Sequence, residues 1–407
     1  MPPPFPPPSL RPPAPRRPRC SGIAHFENAG GSYACRFVID RLTRFYRERK
    51  VQPYGPAEPS RLGGEEMDEA RARLAAILGI ETDELCFGPS TTQNSYVLAQ
   101  AFRQSLRPGE AIVVTDQDHE ANSGPWRRLA AEGIEIREWR MDPETGHLDP
   151  ARLADLLDDR VRLVAFPHCS NVVAEINPVA DICAMVRAAG AVSCVDGVSY
   201  APHGLPDVGA LGTDIYLFSA YKTYGPHQGL MTIRRELGER LPEQGHFFNA
   251  GILYKRFTPA GPDHAQVAAC AGMADYIDAL HMHHCDGLES PAAKGRAVHD
   301  LIRAREVALV APLLDYMAGR NDLRLIGSRD ATVRAPTLAM VHERPGAELA
   351  EALAGQGIIA GGGHFYAVRP LRALGVEPEH GVLRLSLTHY TSEAEVAQAI
   401  AALDAVL

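Results

Sequence analysis

The chain has 407 residues, of which 45% are apolar and 22% charged. This balance excludes both a disordered polyelectrolyte and a membrane-packed protein. The chain has 41 Lys and Arg residues and 50 Asp and Glu residues, which give a net charge of -9. This acidic balance argues against a nucleic-acid partner, because binding to the phosphate backbone requires an excess of basic side chains. We expect no membrane partner either, since no apolar run approaches the roughly 20 residues of a membrane span.

Residues 1–21 form a tail rich in Pro and Arg that we expect to be disordered. The eight cysteines show none of the short spacings that are typical of a zinc site or a redox motif. Because no secretory leader is recognisable, a reduced cytoplasmic chain with free thiols is the simplest interpretation. The HMHHC run at 281–285 predicts no metal site, because its spacing spreads the side chains around a helix.

Short β-branched runs alternate with segments of helical periodicity between about residues 84 and 232, after a surface helix predicted at 65–78. This alternation predicts crossover units that feed a mostly parallel sheet. The predicted strands cover residues 84–88, 111–116, 135–139, 161–167, 191–196 and 214–219. The clearest predicted helices between them cover 150–158 and 179–189.

The pattern then changes to that of a smaller α+β unit, which a long helix at 265–280 is predicted to connect. Further helices are predicted at 307–317, 347–355 and 393–407, with strands at 337–341, 358–360 and 382–387. We therefore expect a large domain over 22–264 and a linking helix with a small domain over 265–407. The three glycines at 361–363 are no dinucleotide fingerprint, and we expect them to make their loop mobile.

In a parallel sheet, ligands bind at the carboxyl ends of the strands. The residues that follow the predicted strands are Ser90, Thr91 and Thr92, the run 116–119, Asn171, Asp196, and the run SAYK at 219–222. Hydroxyls at a helix N-terminus suit a phosphate, a buried acid suits a ring nitrogen, and a lysine forms a Schiff base with a carbonyl. Together they indicate a phosphorylated aromatic cofactor that carries a carbonyl group.

Residues 26–407 resemble the class V aminotransferases, in the cysteine desulfurase-like branch of the fold-type I enzymes that use pyridoxal 5′-phosphate (PLP). The resemblance rests on FENAGGS at 26–32, the Thr91-Thr92 turn, DHEAN at 118–122, SNVVAEINPV at 170–179, VDGVSYAPH at 195–203, FSAYKTYGPHQG at 218–229 and LRLSLTHY at 383–390. It implies an α/β chain with the fold-type I PLP-dependent transferase fold, a mostly parallel central sheet flanked by helices, and a smaller C-terminal α+β domain. It also implies PLP as cofactor and a homodimer with active sites near the subunit interface.

The resemblance implies three central roles. Lys222 would form the Schiff base, Asp196 would pair with the pyridinium nitrogen, and His119 would stack on the ring and exchange protons with substrate. The other implied cofactor-binding residues are Thr91, Thr92 and Ser219 at the phosphate, Asn171 at the ring oxygen or the substrate carboxylate, and Ser199 and Tyr221, which replace side chains that are common in relatives. Arg384 would clamp the substrate carboxylate, with Asn28, Asn171 and His364 as further substrate-binding candidates.

The segment GGGHFYAVRP at 361–370 departs from the family pattern. Cysteine desulfurases carry a catalytic cysteine on this loop, whereas here Tyr366 stands in its place and no cysteine follows Cys285. Persulfide chemistry at this loop is therefore not expected. Tyr366 is a candidate for hydrogen-bond donation or proton relay, or for aromatic packing of the closed loop, and the residues leave both roles open.

The sequence thus predicts a PLP-dependent enzyme that acts on an L-α-amino acid through an external aldimine and Cα deprotonation. The favoured reaction is β-elimination from a cysteine-derived substrate, that is, C–S lyase activity without a persulfide. Aminotransferase and epimerase or racemase activities stay open as alternatives, and a non-catalytic PLP-binding regulatory protein is a further one. The side chain of the substrate is left open.

Overall fold

The protein is represented by a computed structural model that describes residues 22–287 and 289–407, so the predicted tail at 1–21 lies outside the described residues. The strands are β1 (Ala24–His25), β2 (Leu85–Gly88), β3 (Ala111–Thr115), β4 (Glu135–Trp139), β5 (Val161–Pro167), β6 (Val192–Asp196), β7 (Ile215–Ser219), β8 (Gly229–Ile233), β9 (Arg324–Leu325), β10 (Thr337–Val341), β11 (Ile358–Ile359), β12 (Gly361–Gly363) and β13 (Val382–Ser386). The helices are α1 (Arg36–Glu48), α2 (Glu58–Leu78), α3 (Thr91–Arg103), α4 (Glu120–Arg127), α5 (Pro150–Ala154), α6 (Val179–Ala188), α7 (Val208–Leu211), α8 (Arg235–Arg240), α9 (Leu253–Arg256), α10 (His264–Ala269), α11 (Ala271–His284), α12 (Pro291–Ala318), α13 (Gly346–Gly355), α14 (Val368–Ala373) and α15 (Glu393–Val406).

The large sheet has the strand order β2-β8-β7-β6-β5-β3-β4. All neighbouring pairs from β7 to β4 are parallel, whereas β8 runs antiparallel to both β7 and β2. The mostly parallel central sheet is therefore confirmed, and the six strands predicted for it end within one residue of the observed bounds. The antiparallel strand β8 was not predicted.

Several helices differ from the predicted bounds, because an apolar pattern marks only the buried part of a helix while capping residues set its ends. The helix predicted at 65–78 is the second part of α2, and the one predicted at 307–317 lies within α12, which begins after the capping residue Ser290. The helix predicted at 265–280 is divided at Cys270 into α10 and α11.

A smaller antiparallel sheet follows, with the order β12-β13-β10-β9. The three glycines predicted to give a mobile loop form the extended strand β12, in which Gly361 pairs with Arg384 of β13. Strand β1 joins this unit as well, since it pairs in parallel with β11 and places Ala24 and Phe26 in the smaller core. The N-terminal segment thus packs against the second unit, while the predicted domain boundary at 264/265 stays a prediction.

Two further features concern possible partners. Within the part of the chain that the structure describes, no helix has the length and apolar character needed to cross a membrane. The described histidines, cysteines and acids also form no group of three or more arranged to hold a metal ion. His281, in the HMHHC run, is buried and lies 3.8 Å from a carboxylate oxygen of Glu289.

Candidate active site

A cleft lies at the carboxyl ends of the parallel strands β3, β5, β6 and β7. It has a cavity volume of about 100 Å³ and opens to solvent on one side. Nine of the thirteen predicted site residues line it: Thr91, Thr92, His119, Asn171, Asp196, Ser199, Ser219, Tyr221 and Lys222. Residues separated by up to 131 positions in the chain, from Thr91 to Lys222, are therefore brought together at one edge of the sheet.

The N-terminus of α3 forms one end of the cleft. Ser90 caps this helix by accepting a hydrogen bond from the backbone N–H of Gln93, and the Thr91 Oγ1 lies 2.8 Å from the Oγ of Ser219. The first backbone N–H groups of a helix lack partners within the helix and carry the positive end of its dipole. Hydroxyls and backbone donors at this end can bind an anionic group such as a phosphate.

Lys222 follows β7 in a short 3-10 turn, Ala220–Lys222. Of the four lysines in the chain, it is the buried one, with 9% of its surface exposed. Burial, together with the nearby charge of Arg384, lowers the pKa of Lys222 to about 8, although Asp196 acts in the opposite direction. A larger fraction of this amine is therefore neutral near physiological pH than for an ordinary lysine.

Two buried acids lie in the cleft. Asp196 ends β6, and its Oδ1 accepts a hydrogen bond of 2.8 Å from the Val198 N–H; burial raises its pKa to about 6. Asp118 also lines the cleft and was not singled out from the sequence, although it begins the DHEAN motif. Burial and the charge of Asp196 raise the pKa of Asp118 well above its usual range. Since two neighbouring buried carboxyls resist joint ionisation, the site favours one carboxylate over two.

His119 caps helix α4, and its Nδ1 accepts a 3.0 Å hydrogen bond from the Ala121 N–H. The proton of the neutral ring is thereby assigned to Nε2. Burial, with the charges of Lys222 and Arg384, lowers the pKa of His119 to about 3, so the ring is neutral at physiological pH. His227 was missed at the sequence level; it lines the cleft and stacks on Tyr221 with ring centroids 4.9 Å apart.

Tyr366 lies at the mouth of the cleft, and neither Tyr366 nor His364 is part of its lining. The Tyr366 side chain is 70% exposed, and its ring centroid lies 5.6 Å from that of His119. Its backbone N–H donates to the Nδ1 of His364, and its carbonyl accepts from the N–H of Glu120. The small-unit segment is thereby attached to the start of α4.

Arg384 lies behind the cleft lining and is 2% exposed. Its guanidinium donates to the Glu27 Oε1 at 2.5 Å and to the Asn171 carbonyl at 3.2 Å, and its Cζ lies 3.7 Å from the centroid of the Phe365 ring. Burial lowers its pKa, while Glu27 acts in the opposite direction. Glu27 was not predicted as a site residue, although it lies in the FENAGGS motif.

Asn28, a predicted substrate-binding residue, is buried in the packing between the N-terminal segment and β13. Its amide donates to the Ser386 carbonyl at 3.0 Å, and its Oδ1 accepts from the Tyr390 hydroxyl. Both ends of this amide are therefore engaged by the protein itself.

The donor set fits PLP in its chemistry. Hydroxyls and a helix N-terminus suit the phosphate, the buried acid Asp196 suits the ring nitrogen, and Lys222 provides a partly neutral amine. Buried polar atoms without a partner among the described residues also belong to cleft-lining residues, namely the Oδ1 of Asn171 and the Oδ1 of Asp118. Such atoms are expected at a ligand site, since buried polar groups are otherwise paired.

The chain matches the family model of the class V aminotransferases over residues 24–399. Among curated relatives, it is 34% identical over 395 residues to the aminotransferase-like protein FGM3 of Gibberella zeae, covering 94% of each chain. It is 31% identical over 402 residues to a cysteine desulfurase of Serratia proteamaculans, covering 94% of this chain and 93% of the relative.

Solved structures show the same fold. The apo structure of a cysteine desulfurase from Thermococcus onnurineus NA1 superposes with a TM-score of 0.83 at 22% identity, covering 94% of each chain. The cysteine desulfurase CsdA from Escherichia coli gives a TM-score of 0.78 at 22% identity, covering 95% of this chain and 94% of CsdA. At this level of identity the likeness establishes the fold.

Proposed function

The chain belongs to the class V aminotransferase family and is a PLP-dependent enzyme, and on this premise we propose that it is a C–S lyase. It would remove the Cα proton of a cysteine-derived L-α-amino acid and eliminate the sulfur group from Cβ without a persulfide. The observation that carries the proposal is the exposed tyrosine, Tyr366, at the mouth of a cleft whose single lining cysteine is a buried thiol, Cys169.

PLP, when bound, supplies an electron sink that stabilises negative charge at Cα. We assign Lys222 as the residue that holds its aldehyde carbon, and Thr91, Thr92 and Ser219 as phosphate ligands. Asp196 would accept a hydrogen bond from the protonated ring nitrogen, and His119 would cover the ring. The Oδ1 of Asn171, which has no partner among the described residues, is free to accept a hydrogen bond in the cleft.

Lys222 is also the proposed base. Its Nζ, with a pKa of about 8, can take a proton at Cα once it is no longer bonded to the cofactor. Burial keeps this amine away from bulk water, which favours its neutral form. Neutral His119, with its proton assigned to Nε2, can donate a hydrogen bond towards the substrate.

The described cysteines are poor sulfur acceptors. Cys169 is buried, and burial raises its pKa to about 12; the other described cysteines are Cys35, Cys86, Cys183, Cys194, Cys270 and Cys285, each with a raised pKa. Because the thiolate is the nucleophile, sulfur transfer to these residues is disfavoured. Elimination instead breaks the Cα–H and Cβ–S bonds, and with one water gives pyruvate, ammonia and a free thiol or sulfide.

Product analysis tests the proposal. The holoenzyme is incubated with L-cysteine and S-alkyl-L-cysteines, and pyruvate, ammonia, thiol, sulfide, alanine and protein-bound persulfide are quantified. We expect pyruvate and ammonia in equal amounts, with thiol or sulfide. Alanine formed together with protein persulfide would instead identify a desulfurase and overturn the proposal.

An aminotransferase is the second candidate, favoured by the 34% identity to the aminotransferase-like protein FGM3. It is distinguished by turnover that depends on an added 2-oxo acid and yields the matching amino acid. An epimerase or racemase would give the opposite configuration at Cα without release of ammonia. A binding protein without activity would show none of these products.

We further propose a homodimer in the cytoplasm. Phe247 and Phe248 are 81% and 69% exposed, and adjacent exposed aromatic side chains favour a contact surface. Light scattering of the purified protein tests the assembly: a mass near 88 kDa, twice the 44.1 kDa chain, is expected, and a mass near that of one chain would contradict it.

A further inference from the structure

Arg384 is paired with a carboxylate of its own chain. Its Nη2 donates to the Glu27 Oε1 at 2.5 Å, and its Cζ lies 3.7 Å from the centroid of the Phe365 ring. The side chain of Arg384 is 3% exposed and that of Glu27 is 22% exposed. Glu27 therefore already neutralises the positive charge of Arg384, which a substrate carboxylate would need for binding.

Two glycines provide the space for the Glu27 carboxylate. A Cβ at Gly361 would lie 2.5 Å from the Glu27 Oε2, and a Cβ at Gly30 would lie 2.8 Å from its Oε1. Both distances are below 3.0 Å, so a side chain at either position would displace the Glu27 carboxylate. Glu27 therefore fills a space that is shaped for a carboxylate group next to Arg384.

The pairing of Glu27 with Arg384 is incomplete. The Glu27 Oε2 and the Arg384 Nε are both buried and have no hydrogen-bond partner among the described residues. Arginine binds a carboxylate best through two parallel hydrogen bonds, whereas Glu27 makes one. A second carboxylate that reaches two N–H groups of Arg384 would be the better ligand, and the partly exposed Glu27 side chain has a route towards solvent.

We propose that Glu27 is a specificity-determining residue that occupies the carboxylate subsite at Arg384 until a substrate carboxylate displaces it. The inference rests on the proposed function, since it takes the substrate to be an α-amino acid. Ligands with a free carboxylate would be admitted because they replace the charge of Glu27 on Arg384, whereas a neutral amide of the same shape cannot.

The segment that covers Arg384 has a backbone suited to rearrangement. Phe365 and Tyr366 have φ angles of 51° and 56°. These angles lie in the left-handed region, which is energetically unfavourable for residues other than glycine. The Asn171 side chain holds this conformation by donating to the Phe365 carbonyl at 3.0 Å. Entry of a ligand between Asn171 and Phe365 would release this contact and uncover the guanidinium.

The test measures binding of propionate to the holoenzyme by calorimetry, because propionate has a carboxylate but no amine to react with the cofactor. In Glu27→Gln the shape and one hydrogen-bond acceptor are kept while the competing charge is lost. We expect propionate to bind about tenfold more tightly than to the wild type, in line with the strength of a hydrogen bond to a charged group. Propionamide, its neutral isostere, should bind equally to both.

Glu120→Gln is the matched control. Glu120 also lies at the mouth of the cleft. Its side chain is 52% exposed and pairs with Arg369 at 3.3 Å. The control removes the same charge without touching Arg384, so its propionate affinity should equal that of the wild type. If Glu27→Gln does not fold, Glu27→Asp withdraws the carboxylate by one methylene and should also tighten propionate binding.

Unchanged or weaker propionate binding in the folded Glu27 variants would overturn the inference, because Glu27 would then support Arg384 and not compete for it. The proposed function would stand in that case if the wild type still releases pyruvate from a cysteine-derived substrate. Conversely, tighter propionate binding without turnover of such substrates would retain the role of Glu27 and refute the C–S lyase.

Discussion

The Oγ1 of Thr91, the first residue of α3, lies 2.8 Å from the Oγ of Ser219, the last residue of β7. This contact places a hydroxyl pair at the positive end of a helix and one turn from Lys222. Strand β8 makes the arrangement compact, because Gly229 packs directly against the backbone where α3 begins. The proposed phosphate site is therefore built by a helix and two strands, one of which is antiparallel.

Gly229→Ala should weaken PLP binding. The added Cβ would overlap the carbonyl carbon of Ser90 and lie 2.7 Å from the Thr91 nitrogen, so the start of α3 must shift, at a cost of about 1–3 kcal/mol. We expect the dissociation constant of PLP from the reconstituted protein to rise about tenfold. Gly251→Ala is the control, since its Cβ meets no atom within 4 Å. Unchanged PLP affinity in a folded Gly229→Ala protein would contradict the proposed phosphate site.

Lys222 should capture PLP with a characteristic pH dependence. Because its pKa is lowered to about 8, its amine is mostly neutral above about pH 8. An ordinary lysine becomes mostly neutral only above about pH 10.4. The rate of covalent capture by cofactor-free protein, followed by visible absorbance, should reach half its maximum near pH 8 and level off about one pH unit higher. Borohydride should fix the label on Lys222, and Lys255→Arg should change nothing. A label on Lys50, Lys255 or Lys294 would refute the assignment.

Asp196→Asn should stabilise the cofactor-free protein while it abolishes most activity. Because burial raises the pKa of Asp196 to about 6, the folded state binds this proton more tightly than the unfolded chain, whose value is about 3.9. The contribution of Asp196 to stability is full below about pH 4 and is lost as the pH rises through about 6.

The gain in free energy of unfolding of Asp196→Asn over the wild type should therefore grow between about pH 4 and pH 6 and level off above about pH 6, at about 3 kcal/mol at most. Asp214→Ala is the control: it loses the Oδ2 that accepts hydrogen bonds from the backbone N–H and the hydroxyl of Ser193, both 2.9 Å away, and should lower Tm. Exchange of the substrate Cα proton should fall by orders of magnitude in Asp196→Asn. Near-normal exchange would exclude the proposed role at the ring nitrogen.

Tyr366→Phe should keep kcat and KM within about twofold, because the side chain is 70% exposed and its ring meets His119 at 5.6 Å. Tyr366→Ala should lower kcat/KM by about two- to tenfold, which corresponds to the loss of one aromatic contact. Steady-state kinetics with the best substrate distinguishes the two roles left open by the sequence. A selective fall in kcat for Tyr366→Phe would show that the hydroxyl relays a proton.

Tyr224→Phe should destabilise the protein. The buried hydroxyl of Tyr224, two residues after Lys222, donates to the Pro202 carbonyl and lies 3.3 Å from the Nδ1 of His389. Leaving a buried acceptor unpaired costs about 1–3 kcal/mol, which denaturant unfolding would measure. Tyr96→Phe, at a side chain that is 44% exposed, should change stability by less than about 0.5 kcal/mol. Equal effects of the two variants would contradict the importance of the buried contact.

Local patterns in the sequence determined the six predicted strands of the large sheet and the residues at their carboxyl ends. This succeeds because parallel strands buried on both faces are continuous apolar runs, and because their ends meet at one edge. The strand pattern and the motifs at the strand ends were therefore sufficient to place Lys222, Asp196 and His119 in one cleft. The motifs that contain them identified the family, which the family model and the relatives confirm.

Tertiary structure alone decided the features that depend on distant contacts. The three glycines 361–363 carry no side-chain pattern, so nothing in the sequence shows that their backbone pairs with β13. Likewise Glu27 and Arg384 are separated by 357 positions, and neither the FENAGGS motif nor LRLSLTHY contains any sign of the other. Such pairs form because folding brings the N-terminal segment onto the small sheet through the pairing of β1 with β11. Local periodicity in the sequence encodes which face of a helix or strand is buried, but it does not encode which distant residue that face contacts.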